Sequence, residues 1–312
     1  RRADFSRFKR ILELINDDEH LNYNLVVTGT HLLDSHGKTI NEIIEGGFKV
    51  FKTVQMFEDD IDRDSGAEMA VALGRVTMGL VKVIEESKPD IIDIGANLAV
   101  SIAGAHMNIP VVHIQGGEVS GTIDESIRHA VSKFSHYHLV SNNDAKNRLI
   151  RMGEIPKHIF VVGCPSIDAM LDVDISSPDE IKKKFNVDVY KKFFLVLQHP
   201  VTTELHDAKE QIKETLKAVK KSGVESILIY PNNDAGSQAI IGEIKNSNIK
   251  YFSTLSLKDY VSLLSYATAL IGNSSSGIHE TVTFKVPTIN IGTRQQGRLR
   301  PGNVIDVDYE EY

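Results

Sequence analysis

Apolar residues at Phe5, Phe8, Ile11, Leu12 and Ile15 recur at helical spacing, and Leu25-Val26-Val27 follows as a short buried-strand run ending at Thr28-Gly29-Thr30. The same beat continues with an amphipathic segment from about Ala67 to Lys88, an apolar strand near Ile91 to Ile94, a small-residue helix through Ala99 to Met107, and the strand Val111 to Ile114. Helices alternating with strands call for a parallel sheet with crossover helices. A second series starts after the polar stretch Asp172 to Asp188, where Ser177-Pro178-Asp179-Glu180 has capping-box spacing and a proline at the first helical position. Strands are predicted at Phe193 to Leu197, Ser226 to Tyr230, Ala269 to Ile271 and Thr288 to Ile291, with helices at Ala208 to Lys221, Leu257 to Ala267 and Ile278 to Phe284. The pattern predicts an α/β fold of two Rossmann-like, doubly wound lobes, 1–171 and 189–312, joined by a linker at about 172–188. Ligands of such sheets bind beyond the carboxyl ends of the strands, so a cleft between the lobes is the expected site and each functional motif should follow a strand.

The chain has 312 residues, of which 41% are hydrophobic and 25% charged, enough for two cores of usual size. Its 42 acidic and 35 basic residues are spread along the sequence, giving a net charge of -7 and no basic footprint for a nucleic-acid backbone. The longest apolar stretch, Ile91 to Ile114, is broken by Asp93, Asn97, His106, Asn108 and Pro110, well short of the roughly 20 apolar residues of a bilayer span. No membrane partner is expected, and the chain reads as cytoplasmic. The single cysteine, Cys164, has no disulfide or zinc-knuckle partner and is expected to pack as a small apolar residue in a reducing compartment. Arg1-Arg2-Ala3-Asp4 runs straight into a helical pattern, so a preceding strand is expected outside this sequence, as is a closing helix beyond Tyr312.

The densest polar constellation runs from His113 through Gln115-Gly116-Gly117-Glu118 and Gly121-Thr122-Ile123-Asp124-Glu125 to Arg128-His129, after one strand and into a helix. The glycines permit sharp turns or close approach to a ligand, and Thr122 and Glu125 have capping-box spacing. Asp124 and Arg128 lie one turn apart on one face, either an oriented acid–base pair or a solvated surface ion pair. A second cluster, Gly272-Asn273-Ser274-Ser275-Ser276-Gly277, leads into the helix carrying His279 and Glu280. Backbone N–H groups, hydroxyls and a helix dipole there suit a phosphate, and Glu280 suits ribose hydroxyls, although such turns also serve as plain connectors. His199, in Gln198-His199-Pro200 at a strand end, and Arg294, after the last strand, are further candidates for a pyrophosphate, against structural or surface roles.

With Arg2-Ala3-Asp4, the His113 to His129 motif, Gln198-His199-Pro200, Pro231-Asn232-Asn233-Asp234-Ala235-Gly236, Gly272 to Gly277 and Gly292-Thr293-Arg294 in one order, the chain resembles the hydrolysing UDP-N-acetylglucosamine 2-epimerases over nearly its whole length. The resemblance implies a GT-B-like pair of lobes, a homodimer or homotetramer, no cofactor, no metal in the chemical step, and a nucleotide sugar as substrate. It implies conversion of UDP-N-acetylglucosamine to N-acetylmannosamine and UDP through a glycal-type intermediate, with carboxylates moving the C2 proton. Asp124, Arg128 and His199 match the family's catalytic positions. Arg2, Asn232, Ser274, Ser275, Glu280 and Arg294 match nucleotide-contacting ones.

Two departures from the family pattern stand out. The Gly-Asp-Arg turn of the family is replaced by a shorter Asp90-Ile91-Ile92-Asp93-Ile94-Gly95-Ala96-Asn97, which leaves Asp93 as the nearest equivalent of a catalytic aspartate and removes the arginine. Gln115 stands where the sialic acid branch has a catalytic glutamate; an amide is no general base, so either Glu118 substitutes or the proton traffic differs. The Gln-Gly-Gly form is similar to members acting on 2,4-diacetamido-6-deoxy sugars carried on UDP or GDP, in legionaminic-type pathways. A GT-B glycosyltransferase and a catalytically inactive nucleotide-sugar sensor are the alternative readings.

Overall fold

The computed structural model describes residues 2–34, 37–57, 66–95, 97–232 and 234–309, with the side chains of residues 2–4 and 6 outside the described set. The chain divides into two compact units: 1–119 with 123–169, and 120–122 with 170–312. Arg2 therefore falls, as a candidate side chain, outside the described residues.

In the first unit α1 (Arg2–Asn16), β1 (Leu25–Thr28), α2 (Ile40–Glu45), β2 (Val50–Val54) and α3 (Gly66–Ser87) lead to β3 (Ile92–Ile94) and α4 (Leu98–His106). They are followed by β4 (Val111–Ile114), α5 (Ile123–Phe134), β5 (Tyr137–Val140), α6 (Asn143–Arg151), β6 (Ile159–Val161) and α7 (Pro165–Leu171), whose last residues belong to the second unit. The strands form two parallel sheets, β1-β2 and β3-β4-β5-β6. The second of these runs in chain order, so it has no reversal of winding of its own. α3 buries Ala72, Val76, Leu80, Val83 and Ile84, a stripe at 3–4-residue spacing that the sequence pattern anticipates. Gly79 lets that helix approach β2, since a Cβ there would lie 2.4 Å from Val54 Cγ1.

The second unit holds α8 (Pro178–Phe185), β7 (Phe193–Leu197), α9 (Ala208–Lys221), β8 (Glu225–Ile229), α10 (Ser237–Lys245), β9 (Lys250–Phe252) and α11 (Leu257–Tyr266). It ends with β10 (Ala269–Gly272), α12 (Ser276–Thr283), β11 (Thr288–Ile291) and β12 (Val304–Val307). All six strands pair in parallel in the order β12-β11-β10-β7-β8-β9. The chain builds outward from β7 to β9, then returns to place β10 on β7's other side. That reversal is a topological switch point, the place at which doubly wound sheets commonly bind their ligands.

The stretch 172–188 is more than a tether. The Ser177 box forms, with Ser177 Oγ accepting from Glu180 N and Glu180 Oε2 accepting from Ser177 N at 2.8 Å. Ile181, Phe185 and Val187 are buried in the same core as Phe193, Leu195 and Leu264 of the second unit. Among the described residues no helix is long and apolar enough to cross a membrane.

Candidate functional site

In the first unit the motif loop after β4 is shaped by main-chain requirements. Gln115 takes φ +60° and donates its N–H to Leu139 O at 2.8 Å, and Gly117 takes φ +79°. A side chain at Gly117 would strike Ala145 O at 2.5 Å, so glycine is needed for both conformation and space. Two arginines hold this loop: Arg128 Nη1 donates to Glu118 O at 3.0 Å and Arg148 Nη1 to Gly117 O at 2.7 Å. Ser141 Oγ donates to Glu118 Oε1 at 2.7 Å, fixing that carboxylate. The sequence reading missed Arg148 and Ser141, because both come from the β5–α6 region and only pairing of β4 with β5 brings them here.

Arg128 is only 9% exposed. Burial works against its charge and lowers its pKa, while Glu118 first and then Asp124 favour the charged form. Asp124 lies in the first turn of α5, where the helix dipole also favours a carboxylate. Arg128, Glu118 and Asp124 therefore form one electrostatic group. Asp93 does not join it: no hydrogen bond or ion pair connects it with Glu118, Asp124 or Arg128. It lies inside β3, between the buried Ile92 and Ile94, and not in the loop beyond the strand. Water reaches the Asp93 side chain, yet surrounding protein removes enough solvent to push its carboxyl up to about 7, against a hydrogen bond with the Ile94 backbone. The direction is what matters: Asp93 keeps its proton at a higher pH than an ordinary aspartate. Beyond the strand, Asn97 caps α4, its Oδ1 accepting from Val100 N at 3.3 Å.

Cys164 corrects the expectation of a purely apolar role. It is half-buried, and its Sγ accepts a hydrogen bond from Gln115 Nε2, so it orients the amide at the position of interest.

His113 lies beneath the loop and is fully buried. Ser132 Oγ donates to Arg128 O at 3.1 Å, so its bond to His113 Nδ1 at 3.0 Å uses the imidazole as donor, and Nε2 carries no proton. Burial first, then His138, Arg128, Arg7 and His129, lowers the His113 pKa to about 3. The unfolded chain, with an ordinary histidine, takes up the proton that the folded one refuses, so stability falls as pH drops from about 6.5 toward 3. His138 and His129 shift in the same direction. Urea unfolding is expected to show a lower midpoint at pH 5 than at pH 7, with His113 contributing up to about 1.4 kcal/mol per pH unit. His113→Gln should flatten that slope; an unchanged slope in the variant would refute the assignment.

The second unit builds a polar network at its switch point. Asn273, fully buried after β10, accepts from His199 N through Oδ1 at 2.7 Å and donates through Nδ2 to His199 O at 2.9 Å. Its own N–H reaches Leu197 O at 3.2 Å. One amide thus clamps the loop after β7 to the loop after β10. Gly272, at φ +136°, allows the approach, since a Cβ would lie 2.2 Å from Leu197 O. His199 Nδ1 accepts from Asn232 N at 2.9 Å. Nδ1 is thereby unprotonated, and the ring carries its proton on Nε2, the nitrogen able to donate to an anion.

Asn232 Nδ2 donates to Asp234 Oδ2 at 2.6 Å, and Arg294 Nη2 lies 3.7 Å from the same oxygen. Arg294 Nη1 and Gln295 Nε2 both donate to Asn273 O. His199, Asn232, Asn273 and Arg294, from loops after four different strands, are therefore one connected network. Ser274 Oγ accepts from Ser276 N at 3.2 Å, while the main-chain N–H groups of Ser274 and Ser275 have no acceptor among the described residues. Ser275 precedes α12 without capping it through its hydroxyl. Two available amides at a helix start suit a phosphate oxygen. Glu280 lies one turn into α12, half-buried. The tripeptide 120–122 packs with this unit, Gly121 N donating to Arg294 O at 3.0 Å.

The sequence profile of the family described as UDP-N-acetylglucosamine 2-epimerase matches residues 13–312. The chain belongs to the UDP-N-acetylglucosamine 2-epimerase family. This epimerase-family chain is 37% identical to the UDP-N,N'-diacetylbacillosamine 2-epimerase (hydrolyzing) of Legionella pneumophila, over 98% of the chain and 83% of that protein. It is 36% identical to the UDP-N-acetylglucosamine 2-epimerase of Neisseria meningitidis serogroup B, over 99% of the chain and 82% of that protein. Among solved structures it is similar to the crystal structure of UDP-GlcNAc 2-epimerase from Neisseria meningitidis bound to UDP-GlcNAc. That match has a TM-score of 0.78 at 16% identity, covering 93% of this chain and 81% of the other. The epimerase fold is thus α/β and GT-B-like.

Proposed function

We propose that this epimerase-family chain hydrolyses and epimerises a nucleoside-diphosphate 2-acetamido sugar, with UDP-N-acetylglucosamine as substrate and N-acetylmannosamine and UDP as products. In the first stage a carboxylate takes the C2 proton while the C1–O bond to the diphosphate breaks, leaving a glycal-type enol ether. In the second, water adds its hydroxyl to C1 and a proton returns to C2 from the opposite face, so one water is consumed per turnover. Asp124 and Glu118 carry the proton traffic, and Arg128 orients them. Asp93, with its raised pKa, is the third candidate acid.

The observation that carries this reading is the network at the β7/β10 switch point. There the Nε2–H of His199 and the amides of Ser274 and Ser275 are tied together through Asn273, an arrangement suited to a departing diphosphate. Arg294 and Asn232 belong to the same network, and Glu280 serves the ribose.

A second reading keeps the reaction and changes the sugar to a 2,4-diacetamido-2,4,6-trideoxy one on UDP or GDP. The amide of Gln115, held by Cys164, favours it, as does the diacetylbacillosamine-type relative. Incubation with each nucleotide sugar in deuterated water should yield free 2-epimer carrying deuterium at C2. Nucleotide release with undeuterated sugar, or release that waits for an acceptor alcohol, would count against epimerisation. The preferred sugar is read from the ratio of kcat/KM values.

A further inference from the structure

The loop that carries Glu118 is held at its main chain and at its side chain by different groups. Arg128 takes the Glu118 carbonyl and Arg148 the Gly117 carbonyl, so two guanidinium groups secure the backbone. The carboxylate is met by Ser141, the first residue beyond β5, whose Oγ lies 2.7 Å from Glu118 Oε1. The direction of that bond is fixed one residue further on. Asn142 caps α6, its Oδ1 accepting from Ala145 N at 2.9 Å, and this decides which end of the amide carries the oxygen. Nδ2 is thereby the end that faces Ser141 Oγ, and it donates there at 3.2 Å. An amide nitrogen accepts nothing, so the one proton of Ser141 is left for Glu118. The result is a relay of fixed polarity, from Asn142 through Ser141 to Glu118.

That polarity separates the two protonation states of Glu118. As a carboxylate, Glu118 accepts the Ser141 proton through Oε1 and the relay is complete. As an acid protonated on Oε1, it would have to donate instead, and Ser141 would lose the only acceptor its proton has among the described residues. A donor aimed at a carboxylate favours the charged form. From this geometry we infer that Ser141 is a positioning residue for the acid–base step, which keeps Glu118 ionised as the base that takes the C2 proton. The inference rests on the epimerase reading proposed above and adds to it a residue outside every motif of that reading. In the first stage the C2–H bond breaks as an O–H bond forms on Glu118. The C2–H electron pair becomes the C1–C2 double bond, and the C1–O pair leaves with the diphosphate. Glu118 then gives its proton to solvent, and the proton added to C2 from the opposite face comes from a second acid. The other charged and titratable groups about the loop are Arg128, Asp124, Glu125 and His129 of α5, Arg148 with Asp144 on α6, Arg7 of α1 and the buried His113. Ser141 hydrogen-bonds none of them among the described residues, so loss of its hydroxyl leaves their field on Glu118 in place.

Ser141→Ala removes the hydroxyl and leaves the Asn142 cap and both arginine contacts to the loop. With UDP-N-acetylglucosamine as substrate, the acid limb of the kcat profile is expected to move to higher pH. At the acid end of the profile kcat should fall about tenfold, the worth of one hydrogen bond to a charged group, and recover toward alkaline pH, with KM within about twofold. Ser141→Thr keeps a hydroxyl and should restore the limb, and in a Glu118→Gln background Ser141→Ala should move nothing further. A limb that stays in place in Ser141→Ala, or a loss by one factor at every pH, would mean that the hydroxyl only braces the loop. Full turnover of Glu118→Gln with deuterium at C2 would refute the base assignment, and the role of Ser141 with it, while leaving epimerisation standing. If the unaltered protein releases no free 2-epimer from any nucleotide sugar, the reading beneath the inference fails as well, an outcome visible before any variant is made.

Discussion

Asp124→Asn is expected to lower kcat by about a hundredfold or more while leaving UDP affinity within a few fold, because proton transfer by a positioned carboxylate contributes on that scale. The amide keeps the shape of the side chain and its place in the first turn of α5, but it neither takes a proton from C2 nor returns one. Asp124 also helps keep buried Arg128 charged. The substitution therefore weakens the grip of Arg128 on Glu118 O as well, and thermal stability should fall slightly. Deuterium exchange into unreacted substrate and into product separates the two proton-transfer steps. A variant that turns over at the original rate with full deuterium incorporation would remove Asp124 from the chemistry and leave Glu118 as the acting carboxylate.

The second large effect is expected at Asn273, which makes no contact with substrate in the proposed scheme. Asn273→Ala deletes both side-chain bonds to the His199 main chain, so a part-buried N–H and a part-buried carbonyl each lose this bond. Each such group costs about 1–3 kcal/mol, so the variant should lose roughly 2–5 kcal/mol of stability, read as a drop in urea midpoint. The His199 ring is positioned by the same segment, so UDP affinity should fall about tenfold or more in protein that is still folded at low temperature. Asn273→Asp keeps the acceptor for His199 N and loses the donor to His199 O, and it should fall between the two. A variant with wild-type nucleotide affinity would show that His199 finds its place without the clamp.

Much of the α/β pattern was readable because it depends on local periodicity. The α3 stripe of Ala72, Val76, Leu80 and Val83 is written at helical spacing, and β7 and β10 are short apolar runs. The Ser177 capping box was legible for the same reason, since all its partners lie within four residues. The 172–188 stretch was harder: its polar composition hides Ile181 and Phe185, whose burial depends on β7 and α11 being there to receive them. Asp93 shows the opposite limit. Its identity marked it as an acid, but only strand assignment placed it inside β3, before the loop in which the family pattern has its aspartate.

Sequence alone determined which residues carry protons and charge, and where the strongly periodic elements such as α3, β7 and α9 form, because propensity, capping and hydrophobic spacing act over a few residues. Tertiary structure decided which of those residues work together. The order β10-β7-β8 brings Asn273 to His199 across more than seventy residues of chain, and β4-β5 pairing brings Ser141 and Arg148 to the Gly117-Glu118 loop. Those meetings depend on strand order and on the directions of buried hydrogen bonds, which exist only once the sheets have been assembled.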